Sequence, residues 1–296
     1  MGSWPLSELI PLVERAHALG KPIGFVGTGT ERLRRPESRR AFADRLAPKV
    51  TFWTVRSERD QARLIEYGAP SGSVVVAADM AWGLDPVPRE VGERYLGTLG
   101  VDFSTMVIGV NVNIEAFVRE EQPRLLSNLA AFLDETVERY DASILFLCNE
   151  VRAGATFDLA TSRELAAQMR RGDRTRLVPN EYWTPQAMLS MIGCCQFTVS
   201  TRYHFCLFSA LQGVPFLAVQ RSEKVSDLCA DIEWPYGAPL SDLHPALLME
   251  WFEEMVRRRP DLATRLDAAR HDMRLKSERN VAALDAIEAA TAQSGR

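Results

Sequence analysis

No stretch of the 296-residue sequence is both long and apolar. Its longer apolar runs, Ser143–Cys148 and Val214–Val219 among them, are strand-sized, against the roughly 20 residues that a membrane-spanning helix needs. The N-terminus lacks a basic region followed by an apolar core, so no secretory leader is expected. Positive charge is also not in excess: 35 Lys and Arg stand against 39 Asp and Glu, a net charge of −4. A general nucleic-acid binder needs a basic face to neutralise phosphates, and that class is excluded. Any anionic substrate must be held by a local cluster. Cysteine is scarce and odd in number, five in all: Cys148, Cys194, Cys195, Cys206 and Cys229. That count, with two of them adjacent, gives no disulfide framework and reads as buried thiols in a reducing, cytoplasmic setting. Metal-ligand pairs such as Cys-x-x-Cys or His-x-x-x-His are missing, so no metal is expected. Gly27-Thr28-Gly29 falls short of a dinucleotide fingerprint and no P-loop lysine follows it, so no cofactor is expected.

What is present is an ordinary globular composition, 46% hydrophobic and 25% charged. That suffices for two cores. Apolar spacing predicts helices over 6–19, 39–46, 59–67, 125–140, 161–169, 184–192 and 204–212, and strands over 22–26, 50–55, 74–77, 106–112, 143–147, 176–178, 196–200 and 215–219. Gly20, Gly68 and Gly213 close three of the helices, and Thr184-Pro185 opens another as N-cap and first-turn proline. Asp85–Arg89, with two prolines, interrupts the alternation. Pro245–Ala292 reads as helical. Regular alternation of strand and helix implies parallel sheets covered by helices, an α/β fold of two doubly wound, Rossmann-like lobes at about 1–100 and 101–296. Ligands of such sheets bind at the carboxyl ends of the strands.

The densest polar cluster sits at such an end. Ser200-Thr201-Arg202-Tyr203-His204 joins an apolar strand to a helix that starts at once. A helix start attracts anions through its unpaired N–H groups and dipole. Arg202 adds a permanently charged fork suited to phosphate or carboxylate, and His204 a group for proton transfer. The plainer reading is that Arg202 pairs with a carboxylate and His204 caps the helix. Asn111 and Asn113 alternate on one strand, so both face one side; that side either lines a cleft or bonds the strand-end turn. Arg56 binds an anion or pairs with Glu58 or Asp79. Lys224 is either a phosphate-binding point charge or a solvated lysine. His17, His244 and His271 read as surface residues.

Taken in order, these motifs resemble the polysaccharide pyruvyl transferase family. Ser200-x-Arg202-x-His204, an apolar helix, Gly213-Val214-Pro215 and Lys224 are similar to its C-terminal signature. Gly27-x-Gly29, Thr54-Val55-Arg56 with Leu64 and Gly68, Ala78-Asp79, and Gly109-Val110-Asn111-Val112-Asn113 are similar to its upstream marks, so the likeness covers most of residues 20–235. The resemblance implies a GT-B-like fold and transfer of the pyruvyl group of phosphoenolpyruvate to a sugar as a cyclic ketal. The acceptor would be a cell-surface polysaccharide or its lipid-linked precursor, with peripheral membrane contact in the latter case. His204 would be the general acid/base, and Arg202 and Lys224 would bind phosphate or carboxylate, with Ser200, Arg56 and Asn111 also on the donor side. The departures are Ser57 where the family has Asp, Met80 where it has Pro, and the lack of a leading Gly-Asn-x-Gly-Asp-Glu-like segment, of which Gly2-Ser3 would be the remnant. The last of these implies an incomplete N-terminal, acceptor-side lobe or a misassigned start. Two other readings stay open: a GT-B glycosyltransferase using a nucleotide sugar, and a degenerate, non-catalytic paralogue.

Overall fold

In a computed structural model, residues 6–114, 124–150 and 157–294 are described; Gly2 and Ser3 lie outside them. The chain divides into two compact units, Met1–Gly83 with His271–Arg296, and Leu84–Arg270.

The first unit contains α1 (Leu6–Ala18), β1 (Gly24–Thr28), α2 (Pro36–Ala41), β2 (Phe52–Val55), α3 (Glu58–Glu66) and β3 (Val74–Val76). Its three strands form a parallel sheet in the order β1-β2-β3. The core packs Leu6, Ile10 and Val13 of α1 with Phe42, Leu46, Trp53 and Leu64. Phe25 stacks on Trp53 at 4.4 Å between ring centroids. Gly27 adopts φ +60°, and a side chain there would meet Met80 Cγ at 3.0 Å, so both backbone and space call for glycine.

The second unit runs through α4 (Arg89–Thr98), β4 (Val107–Asn111), α5 (Leu125–Tyr140), β5 (Ser143–Phe146), α6 (Phe157–Gln168), β6 (Thr175–Leu177), α7 (Pro185–Gly193), β7 (Phe197–Ser200), α8 (Tyr203–Leu211), β8 (Phe216–Gln220), α9 (Glu223–Asp231), β9 (Gly237–Pro239) and α10 (Pro245–Arg257). Its parallel sheet has the order β6-β5-β4-β7-β8-β9. Every residue of β4 is buried, as expected of a central strand covered on both faces. Phe252 of α10 meets Phe132 of α5 and Phe197 of β7 at 5.9 and 5.0 Å. Burial of each such ring contributes roughly 1.5–3 kcal/mol.

Helix α11 (Arg259–Ser294) belongs to both units. Arg259 Nε and Arg270 Nη1 donate to the carbonyls of Gln196 and Leu211 in the second unit. Asn280 Nδ2 donates to Ala78 O at 2.9 Å in the first, and its Oδ1 accepts the hydroxyl of Thr54.

The division differs from a cut near residue 100. Helix α4 was not legible as a helix, and it packs on α7 so closely that a Cβ at Gly92 would stand 2.6 Å from Ser190 O. Gln212 closes the preceding segment by exchanging hydrogen bonds with both backbone groups of Val87. Helix α9 and strand β9 are further additions. Gly20, Gly68 and Gly213 all take positive φ at helix ends, and Thr184 Oγ1 caps α7 by accepting from Ala187 N at 3.2 Å. All five cysteines are buried free thiols; burial pushes Cys148 and Cys194 up to about 12. No described helix is long and apolar enough to cross a membrane.

Candidate active site

The order of the six strands places a topological switch between β4 and β7: from β4 the chain winds outward through β5 and β6, and from β7 it winds the other way through β8 and β9. A crevice forms at the carboxyl end of such a switch. The last residues of the two strands, Asn111 and Ser200, are register partners there.

A carboxylate organises this edge. Asp158, on the first turn of α6, is wholly excluded from solvent. Its Oδ1 accepts Asn113 Nδ2 at 2.8 Å, Arg202 Nε at 3.1 Å and Arg202 Nη2 at 2.7 Å. Its Oδ2 accepts Asn111 Nδ2 at 3.0 Å and the backbone N–H groups of Asn149 and Glu150, both at 2.9 Å. Three strand ends, those of β4, β5 and β7, are thereby tied to one side chain. Burial pushes this carboxyl up, but the charge of Arg202 and the hydrogen bonds from Arg202, Asn113 and Asn111 outweigh it and hold the group below the usual carboxylate range.

Arg202 is fixed from both ends. Its backbone N–H donates to Ser200 Oγ at 2.9 Å. Its side chain, 17% exposed, forks onto Asp158 and also pairs with Glu150, through Nη2. Among the described residues Nη1 has no hydrogen-bond partner, so one edge of the fork stays available. A planar guanidinium held this way is suited to bidentate recognition of phosphate or carboxylate. Helix α8 starts at the next residue, and the Arg202 side chain does not cap it. His204 stands in the first turn, half-buried, edge-on to Tyr203 at 5.2 Å and 6.4 Å from the ring of Phe208. Lys224, also half-buried, lies in the first turn of α9 at the same edge of the sheet, one strand further out.

Arg202, His204, Lys224, Asn111 and Ser200 therefore share one edge of one sheet. Asn111 and Ser200 differ from a substrate-binding reading: both are fully buried. Asn111 Nδ2 also donates to Leu147 O at 2.7 Å, and Ser200 Oγ donates to Asn111 Oδ1 at 3.3 Å. They hold the strand ends and the start of Arg202 in place. The alternation of Asn111 and Asn113 does put both amides on one partner, the carboxylate of Asp158. Arg56 is in the other unit. Its Nε donates to Gly27 O at 2.9 Å and lies 2.9 Å from Asp79 Oδ2, which makes Asp79 a partner of Arg56. Ser57, at a departure from the family pattern, caps α3 by accepting from Asp60 N. The other histidines are exposed, and His244 caps α10 through Nδ1. Asp158 and Glu150 escaped sequence reasoning; the one local hint was an acidic residue in a first helical turn.

The sequence matches the polysaccharide pyruvyl transferase family over residues 1–223. No curated protein matches it. Similar solved structures include a putative UDP-N-acetylglucosamine 2-epimerase from Listeria monocytogenes, with TM-score 0.64 and 12% identity over 96% of this chain and 80% of that one. Alr3699/HepE from Anabaena, in complex with UDP, gives 0.63 and 13% over 95% and 76%. The UDP-GlcNAc 2-epimerase from Methanocaldococcus jannaschii gives 0.59 and 10% over 83% of this chain, which spans 66% of that protein. At such identities the likeness is one of fold, and the fold is GT-B. The family match takes in the whole Ser200–His204 turn and three quarters of the chain, so the protein is a transferase and belongs to the polysaccharide pyruvyl transferase family.

Proposed function

We propose that this chain transfers the pyruvyl group of phosphoenolpyruvate to a sugar of a cell-surface polysaccharide or of its lipid-linked precursor, as a ketal, and that it works in the cytoplasm. The observation that carries the reading is Arg202: a guanidinium locked by Asp158 at the switch between β4 and β7, with Nη1 left over, beside a histidine in the first turn of α8.

The donor's methylene carbon gains a proton, a sugar hydroxyl bonds to the adjacent carbon, and the bond from that carbon to the phosphate oxygen breaks. A second hydroxyl of the same sugar then closes the ketal and releases its proton. His204 handles the protons. Arg202 and Lys224, with the start of α8, stabilise the charge on the departing phosphate, which fixed donors do best when already in place. Glu150 holds the outer face of the Arg202 fork, so an arriving phosphate or carboxylate exchanges for it. Asn111 and Ser200 act through Arg202 as positioning residues. Arg56 is assigned to the donor side on the family resemblance alone.

His204→Ala should fold with an unchanged melting temperature and lose phosphate release with acceptor present. Retained turnover would sink the assignment. The rival is a nucleotide-sugar transferase, favoured by the UDP bound in the Anabaena neighbour. Thermal stabilisation by phosphoenolpyruvate supports the first reading, and stabilisation by UDP but not by phosphoenolpyruvate supports the rival.

A further inference from the structure

Among the described residues, aromatic side chains are buried or half-buried with two exceptions, Phe157 at 37% exposed and Tyr182 at 80%. Both stand at the sheet edge that carries Arg202. Phe157 opens α6 directly before Asp158, on the connection from β5. It holds φ +54°, a left-handed backbone that is rare for a bulky residue. Tyr182 lies on the connection from β6 to α7. Strands β6, β5, β4, β7 and β8 are neighbours in that order. Cations and rings therefore divide the edge: Arg202 and Lys224 follow β7 and β8, and the two exposed rings follow β5 and β6. Neighbouring strands stand about 4.8 Å apart, which puts the end of β6 about 10 Å from the end of β4, a distance that a short oligosaccharide covers. The Tyr182 connection is braced on both sides. Upstream, Glu181 N–H donates to Pro179 O at 2.9 Å. Downstream, the ring of Trp183 lies 4.6 Å from that of Tyr95 on α4, and its Nε1 donates to Pro179 O at 3.4 Å. Of two adjacent rings, Trp183 packs and Tyr182 is left to solvent.

We propose that Tyr182 is a stacking platform for a sugar ring of the acceptor. The inference rests on the pyruvyl transfer reading, which supplies the acceptor's class. A pyranose presents C–H bonds on its faces and hydroxyls around its rim. An exposed aromatic ring covers such a face without stripping water from the hydroxyls, and tyrosine adds a polar tip of its own. A ring carried on a braced connection loses little freedom when a ligand arrives, which lowers the cost of binding. Glu181, also exposed, offers carboxylate oxygens to the rim hydroxyls. The charged donor is then held on the β7 and β8 side, and the sugar approaches from the β6 side. Phe157 lies between Tyr182 and Arg202 in strand order.

The test is saturation-transfer NMR on the full chain, with methyl β-galactopyranoside, methyl β-glucopyranoside, methyl α-mannopyranoside and UDP as separate probes. Native protein, Tyr182→Ala and Tyr182→Phe are compared, and calorimetry reads phosphoenolpyruvate affinity in each. Tyr182 is exposed, so both variants should melt as the native protein does. At least one glycoside should receive saturation on its ring C–H protons from native protein, about fivefold less from Tyr182→Ala, and as much from Tyr182→Phe. Phosphoenolpyruvate affinity should stay within about twofold, as for a separate site. No transfer to any glycoside from native protein, or equal transfer from Tyr182→Ala, overturns the proposal. So does a loss confined to the uracil protons of UDP, which would make the ring a nucleobase shelf. Phosphoenolpyruvate that fails to bind native protein sinks the donor reading alone, and a glycoside signal that depends on Tyr182 still supports the platform.

Discussion

Each unit ties its strand ends together with an arginine on a buried carboxylate, but the two clasps have opposite polarity. In the first unit the centre is a cation: Arg56, after β2, reaches Gly27 O on β1 and Asp79 beyond β3. In the second the centre is an anion: Asp158 gathers donors from the ends of β4, β5 and β7. A cation-centred clasp engages its arginine on the protein's own carbonyl and carboxylate. An anion-centred one saturates the carboxylate and leaves the arginine at the rim with an edge over. The same pair of residue types thus engages the guanidinium of Arg56 on carbonyl and carboxylate in one unit and leaves Nη1 of Arg202 over in the other.

The largest test of that contrast is Asp158→Asn. It keeps the shape, removes the charge that balances a largely buried Arg202, and should cost about 3–5 kcal/mol of stability along with transferase activity. Denaturant melts and a phosphate-release assay read the two effects; a stable, active variant would break the comparison. Asp79→Asn should cost less, about 1–3 kcal/mol, and leave phosphoenolpyruvate affinity within about twofold by calorimetry. A tenfold loss of affinity would instead give Arg56 the donor-side role that the family resemblance implies. Glu150→Gln removes a partly exposed competitor for Arg202 and should tighten phosphoenolpyruvate binding by up to about fivefold. Weaker binding would show that Glu150 helps to hold the ligand. The smallest effect is on pH dependence. The Asp158 carboxyl is depressed in the folded state, so its contribution is full above the unfolded value of about 3.9 and fades as pH falls through the lower folded value. Melting temperatures of native protein and Asp158→Asn should converge as pH drops below about 4.

The alternation of strand and helix was legible because each element carries its own apolar period and its own punctuation, such as Thr184-Pro185 or Gly213. Arg202 and His204 were legible because they stand two residues apart at a strand end. Asp158 was not, because its side-chain partners Asn111, Asn113 and Arg202 lie 44 to 47 residues away in sequence, and no local pattern announces them. Helix α4 was hidden behind Pro86 and Pro88, and its reason for being helical is tertiary: Gly92 lets it lie against α7. The last residues of β4 and β7 became neighbours only through the strand order, which periodicity does not carry.

Asn280, in the second half of α11, supplies partners for the hydroxyl of Thr54 and the carbonyl of Ala78 inside the first unit. During synthesis that asparagine leaves the ribosome after every residue of the second unit. Domains generally fold in the order they are made, yet here the unit begun first is completed last, after the whole six-stranded sheet of the second unit has been synthesised. A fragment ending at Gly83 would carry the first unit's strands without the side chain that closes their carboxyl edge.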